Sequence, residues 1–280
     1  VAELYLRKVI LEIIPQSGSG KKIEDLRIRF KCEKTNESSP NNAEIEVFNL
    51  AESTRSTLEA KNTKVRLSIG YLGLNAAGFA GTGIGGSSSV EVVFVGDVVK
   101  TTQKIETPDI ITTLEVADGS NRFRNSRLEK GYPPNTKLNP VFDDLETSLG
   151  LGKGTRQGVP DKTYANGLSL SGPSREHLDV LTRSNGLEWS IQDETLQIIP
   201  AGQGTTESVI LLASDSGLIG SPNKTAKGVE FTSLIQPRLR PGRRVQIDSR
   251  ALKGIFKIRK VEHAGDSHEG DFLSKCEATS

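Results

Sequence analysis

The sequence predicts a mainly β chain in which two small β domains of one design flank a compact α+β insert. Three observations predict this. Gly 28 and Pro 12, set against 35% hydrophobic and 5% aromatic residues, favour many short strands joined by turns over a helical bundle. In residues 25–34 and 43–47 apolar side chains recur with period 2, the mark of half-buried strands. The stretch 228–279 also reads as a degenerate second copy of the N-terminal third. In the first copy Val65 to Tyr71 alternates, Val92 to Val95 follows, Gly96-Asp97 punctuates, and Ile111 to Val116 closes on Ala117-Asp118. In the second, Val245 to Asp248, Gly254 to Ile258, Gly265-Asp266 and Phe272 to Ala278 repeat the order.

Along the chain, Leu4 to Ile14 is dense in β-branched residues and ends at Pro15 and a Ser-Gly turn, so it reads as a strand whose partner follows directly. That next strand, Asp25 to Lys34, points Leu26, Ile28, Phe30 and Cys32 one way and Arg27, Arg29 and Lys31 the other. Ala43, Ile45 and Val47 alternate with Glu44 and Glu46, whose acidic face suits the Arg27 and Arg29 face in an antiparallel pair. Asn49 to Ala60 reads as a short helix with Ser53 as N-cap and Leu58 inward. The run 72–89 is rich in Gly and Ser yet carries Leu72, Leu74, Phe79 and Ile84. It is either a mobile hairpin tip or a loop that orders against a neighbouring subunit.

From Asp118 the texture turns polar. Asn139 to Leu149 has helical spacing, with Asn139 as cap and Pro140 at the first helical position. A second helix starts at Ser174, buries Leu178 and Leu181, and stops at Asn185-Gly186. A hairpin then pairs Leu187, Trp189 and Ile191 with Leu196, Ile198 and Ile199 across Gln192 to Thr195, and Trp189 anchors this small core with its indole N–H on an acceptor. Ser208 to Ala213 is a strand, Gly217 to Pro222 a turn, and Val229 to Ile235 another strand before the second copy begins.

Composition excludes several function classes. Lys+Arg 36 against Asp+Glu 35 leaves a net charge of +1 and no global field for nucleic acid or an anionic membrane. No run of about 18 apolar residues crosses a bilayer, and the opening VAELYLRKVILEIIP alternates with charges, so the sequence is expected to be soluble and to carry no secretory signal core. Cys32 and Cys276 lie in separate strands and read as buried free thiols. No cofactor is indicated.

Catalytic signatures are missing as well. Three histidines are present, and the cluster His263, Asp266, His268, Glu269 and Asp271 has ligand-like spacing. It lies in a Gly-rich stretch between strands, where these residue types serve turn chemistry, and no metal is expected there. Asp143 and Asp144 are adjacent on a helix and diverge, with Glu146 on the same solvated face. Neither a G-x-S-x-G elbow nor a phosphate loop occurs, and no catalytic residue is assigned. Arg238, Arg240, Arg243, Arg244 and Arg250 form the basic cluster, which serves either as strand-edge charge against unwanted pairing or as a surface for an acidic partner.

In order along the chain, AEIEVFNLAESTRSTLE, VRLSIGY, VFVGDVV, TLEVADG, the 126–149 helix approach, GLEWSIQDETLQIIP, GLIGSP, GVEFTSLIQPRLRPGRRVQIDS and VEHAGDSHEGDF resemble the baseplate hub proteins of contractile-tailed bacteriophages and tailocins. The resemblance implies two tail-tube-like β-barrel domains, at 1–118 and 206–280, with a helix/hairpin insert at 119–205. It implies a homotrimer that joins the six-fold tail tube to a three-fold central spike in the virion tail baseplate, assembled in the bacterial host cytoplasm. The partners implied are the tail tube protein, the central spike protein, wedge proteins and the tape-measure protein, with no membrane and no sequence-specific nucleic acid. Leu72, Leu74, Phe79, Ile84, Arg240, Arg243 and Arg244 are the expected partner contacts. The reading from another class is a cell-wall-associated glycan-binding protein or hydrolase, built on the Trp189 hairpin or the His263 cluster.

Overall fold

Alternation decides the first strands. In the computed structural model, which describes residues 6–60, 62–72 and 89–279, Ile28, Phe30 and Cys32 are fully buried while Arg29 and Lys31 face solvent. The N-terminal part runs β1 (Arg7–Ile14), β2 (Lys21–Ile23), β3 (Ile28–Thr35), β4 (Asn42–Phe48), α1 (Glu52–Leu58), β5 (Lys64–Tyr71), β6 (Glu91–Glu106) and β7 (Asp109–Ala117). The middle holds α2 (Ser120–Asn125), β8 (Arg127–Tyr132), β9 (Thr136–Lys137), α3 (Leu138–Leu149), β10 (Gly152–Arg156), β11 (Thr163–Tyr164), β12 (Leu168–Pro173), α4 (Ser174–Ser184), β13 (Leu187–Gln192) and β14 (Thr195–Pro200). The C-terminal part has β15 (Ile210–Ala213), β16 (Leu218–Thr225), β17 (Gly228–Leu234), β18 (Arg244–Asp248), β19 (Lys253–Asp266) and β20 (Phe272–Thr279). The chain is mainly β, as its composition predicts.

Among the described residues, the strands of the two ends form one thirteen-stranded sheet ordered β16-β17-β20-β19-β3-β4-β7-β6-β5-β1-β2, with β18 beside β19 and β15 beside β18. Within it one arrangement occurs twice. The order β3-β4-β7-β6-β5 in the first part matches β16-β17-β20-β19-β18 in the last, each a hairpin followed by an antiparallel meander. The irregularities match too: β6 shifts register against β7 between Val98 and Lys100, and β19 against β20 between Ile258 and Lys260. At those points the Val98 amide donates to the Thr63 carbonyl and the Ile258 amide to the Arg243 carbonyl, both at 2.9 Å. The degenerate repeat in the sequence therefore coincides with a repeat of strand order, except that Gly265-Asp266 corresponds to Ile105-Glu106 of the first part and not to Gly96-Asp97.

Among the described residues three buried clusters form the core. One is built from β1, β3 to β7 and their turns, with Leu11, Ile13, Ile45, Leu67 and Phe94 fully buried. A second packs α3 and α4 on β13 and β14 through Phe142, Leu178, Trp189 and Ile198. The third comes from β15 to β20 around Leu212, Phe231, Val245 and Val261. Fully burying side chains of this size contributes about 1.5–3 kcal/mol each.

Several elements depart from expectation. The partner of β1 is not β3: β1 pairs with the short β2 and with β5, while β3 lies between β4 and β19. Gly96-Asp97 does not end a strand, because β6 runs through it and leaves β5 for β7 there. A Cβ on Gly96 would stand 2.7 Å from the Ala117 carbonyl oxygen, so this glycine permits a close backbone approach. Residues 217–222 are not just a turn, since β16 starts at Leu218 and pairs with β17 around a bulge between Ile219 and Asn223. Neither Ser53, Asn139 nor Ser174 caps a helix; the capping positions are Ala51, Lys137 and Pro173, without side-chain cap bonds.

Candidate functional site

Lys34 falls on the buried parity of β3, on the same face as Ile28, Phe30 and Cys32, where an ammonium group is costly unless it is paired. It is 1% exposed and its Nζ donates to Asp193 Oδ2 at 2.6 Å and to the Val93 carbonyl at 3.2 Å. Asp193 belongs to the turn between β13 and β14, so this ion pair ties the helix-hairpin unit to the sheet. In that turn Asp193 and Glu194 have φ of 53° and 61°, a conformation that non-glycine residues adopt at a cost. The carboxylate of Asp118 supports it by accepting from the amides of Asp193 and Glu194 at 2.7 and 2.8 Å.

Further bonds widen this junction. Asn41 Nδ2 donates to the Ile191 carbonyl at 2.7 Å, and Gln192 Nε2 donates to the Thr35 carbonyl at 2.7 Å. Lys64 pairs with Glu194, and the buried Lys257 with Glu188. Burial pushes the Asp118 carboxyl up to about 7, against the opposing influence of the Lys34 charge and the two amides. The sequence signal for this node is Lys34 itself, an ionisable residue at an inward position of an alternating strand.

Two arginines of the basic cluster are committed within the chain. Arg240 donates to the Val92 carbonyl at 2.9 Å, and Arg243, only 7% exposed, donates to the Ser208 carbonyl at 2.9 Å and lies 3.1 Å from the Glu207 carboxylate. Burial lowers the pKa of Arg243. Arg244 is half-buried on β18. Leu72 is half-buried and its amide donates to the Leu6 carbonyl at 3.0 Å, whereas Leu74, Phe79 and Ile84 lie outside the described residues.

The histidine cluster is dispersed. His263 is not in a turn but inside β19, 1% exposed, with Nδ1 2.9 Å from Ser274 Oγ and Nε2 3.2 Å from the Leu239 carbonyl. Burial, with the Lys34 charge second, lowers its pKa to about 3, so the ring is neutral. Asp266 instead takes two hydrogen bonds from Arg27 at 2.9 and 2.8 Å, and His268 bonds Ser267. Among the described residues no group of His, Cys, Asp and Glu is placed to hold a metal ion. No helix among them is long and apolar enough to cross a membrane.

Two other expectations resolve at the insert. Asp143 and Glu146 both reach Arg156 at 2.6 Å, while Asp144 binds Lys130 and Tyr132, so none of the three is a free acid/base group. Trp189 is 3% exposed, and its indole N–H donates to Asp179 Oδ1 at 2.8 Å. It has no face to offer a sugar ring. Cys32 and Cys276 are free and buried, and burial pushes both thiols up.

A family model described as baseplate hub gp41 matches residues 8–278. No curated protein matches the sequence. The fold is similar to the 43 kDa tail protein of prophage MuSo2 from Shewanella oneidensis, at 10% identity and a TM-score of 0.64 over 98% of each chain. It is also similar to the tail protein from Neisseria meningitidis MC58, at 9% identity and a TM-score of 0.65 over 99% of this chain and 97% of that one. A third likeness, at 11% identity and a TM-score of 0.57 over 96% of this chain and 76% of the other, is to the E. coli c3393 protein, a type VI secretion component described as structurally similar to the T4 tail proteins gp27 and gp5.

Proposed function

The chain belongs to the baseplate hub gp41 family, and from that membership we propose that it is the structural hub of a contractile phage tail, a homotrimeric ring between the six-fold tail tube and the three-fold central spike. The observation that carries this reading is the structural repeat. A chain holding two copies of one five-strand arrangement lets a ring of three chains present six equivalent units. We assign residues 1–118 and 206–280 as the two tube-like domains and 119–205 as the peripheral insert; the insert's separate buried cluster supports its boundary, while Ile235 and Phe272 of the last part pack into the first cluster where the two tube-like domains join.

In this role the chain performs no bond chemistry, and its work is done by surfaces. The tail tube and central spike proteins are the axial partners, with wedge and tape-measure proteins as further contacts. Assembly takes place in the host cytoplasm before the tail is complete. The 72–89 segment and Arg244 remain candidate contacts, while Arg240 and Arg243 would act by anchoring the 236–243 turn to the Val92 and Ser208 carbonyls. The glycan-binding or hydrolase reading has no support from Trp189 or His263, both of which are buried.

Mass photometry at micromolar concentration tests the proposal, alone and with tube or spike protein added. The expected result is a species of three chains, seen as a three-fold or pseudo-six-fold ring in particle images. A chain that stays monomeric in all mixtures overturns the hub assignment.

A further inference from the structure

The repeat contains one asymmetry. In the last part of the chain, β19 pairs with β18 through Lys253–Lys257, passes its bulge, and on the same flank pairs with β3 through Lys260–Asp266. In the first part, β6 pairs with β5 through Glu91–Asp97 and passes the matching bulge, but among the described residues no strand pairs with that flank from Lys100 to Glu106. The equivalent of β3 in the last part is β16, and among the described residues β16 is the outermost strand of the sheet, with its second flank also unpaired. One molecule thus carries both halves of a joint that it already makes once internally.

We propose that β16 of one copy pairs antiparallel with the distal half of β6 of the next copy, reproducing between chains the joint that β3 and β19 make within one. The inference rests on the hub reading and specifies its ring interface. Matching the registers of the two repeats gives the pairing. His263 opposite Cys32 maps onto Gln103 opposite Lys224, Glu262 opposite Glu33 onto Thr102 opposite Thr225, and Ala264 opposite Lys31 onto Lys104 opposite Asn223. No like charges meet in these pairs.

Unpaired strand flanks of this length are templates for association, and β6 and β16 are complementary flanks at different places on the molecule. Their contact is head-to-tail, so it generates a ring when the rotation closes. The internal joint supplies that rotation, because it already sets one repeat beside the other.

Paired cysteines test the register. Two double variants, Thr102→Cys with Thr225→Cys and Gln103→Cys with Lys224→Cys, sample adjacent positions of the ladder, of which the non-hydrogen-bonded kind brings side chains closest. Glu106→Cys with Thr225→Cys is the out-of-register control. Under mild oxidation at least one in-register variant should give reducible covalent multimers of the ring, while the control and the parent, whose Cys32 and Cys276 are buried, give none. A ring that forms without in-register cross-links, or that cross-links equally in the control, overturns the edge pairing and leaves the hub reading intact. A chain that is monomeric by mass photometry overturns both.

Discussion

Lys34 is the side chain whose loss the molecule should tolerate least. Replacing it with Met leaves the half-buried Asp193 and the buried Asp118 near each other without their shared cation, and breaking a fully buried pair from one side costs about 3–5 kcal/mol, an upper bound here. Urea denaturation of Lys34→Met should show that loss as a lower midpoint, and adding Asp193→Asn should restore part of it. Asp118 predicts a pH dependence of definite sign. Its folded pKa is raised to about 7 from an ordinary carboxyl value of 3.8, so between those values the folded chain holds the extra proton. The stability it contributes is present in acid and is lost as pH rises through 7. In Asp118→Asn that slope disappears. Stability of the variant minus that of the parent should therefore rise with pH by about 1.4 kcal/mol per unit within this window. A flat difference in parallel urea titrations counts against an elevated carboxyl in the fold.

Among the elements, β6 decides how the first repeat is joined. At Gly96 it still faces β5 while closing on the backbone of Ala117, so Gly96→Ala forces a Cβ against a carbonyl group that cannot swing aside. The expected destabilisation is about 1–3 kcal/mol, read from thermal or urea unfolding. The same strand shows what the sequence could and could not express. Alternation made β3, β4 and β5 legible, because each buries one face and wets much of the other, whereas β13 is buried on both faces and was legible from its apolar run. Gly96-Asp97 looked like punctuation because a glycine that permits close strand approach has the same letter as one that turns. β16 was hidden by Gly220 and Pro222, which build its bulge, and the short β8 to β12 by polar, Gly-containing runs such as Gly152–Arg156 with little apolar pattern. Strand partners were the least accessible, since β3 finds β19 more than two hundred residues away. Of the junction residues none was expected from the sequence, although Lys34 carries a signal as an ionisable residue on the inward parity of β3. Asp118 carries none, because a polar residue after a strand is ordinary in any turn.

At the scale of the whole molecule, residues 119–205 are held to the sheet by polar groups clustered at the β13–β14 turn and by others along β13 and β14, and their core is separate from the two others. Trp189 is the single tryptophan and lies in that insert core, while most strand signal comes from the sheet. Its fluorescence and far-ultraviolet circular dichroism therefore report two different parts of one chain. In the parent the Asn41, Lys34, Asp118, Lys64 and Lys257 contacts should couple them, so that both probes follow one urea transition. Asp118→Ala removes the acceptor for both strained turn amides, leaving those donors to find water or remain unpaired at about 1–3 kcal/mol. The fluorescence midpoint should then fall below the dichroism midpoint as the insert loosens first. Coincident transitions in the variant would place the coupling elsewhere, in the Lys257 to Glu188 pair and the chain connections at either end of the insert.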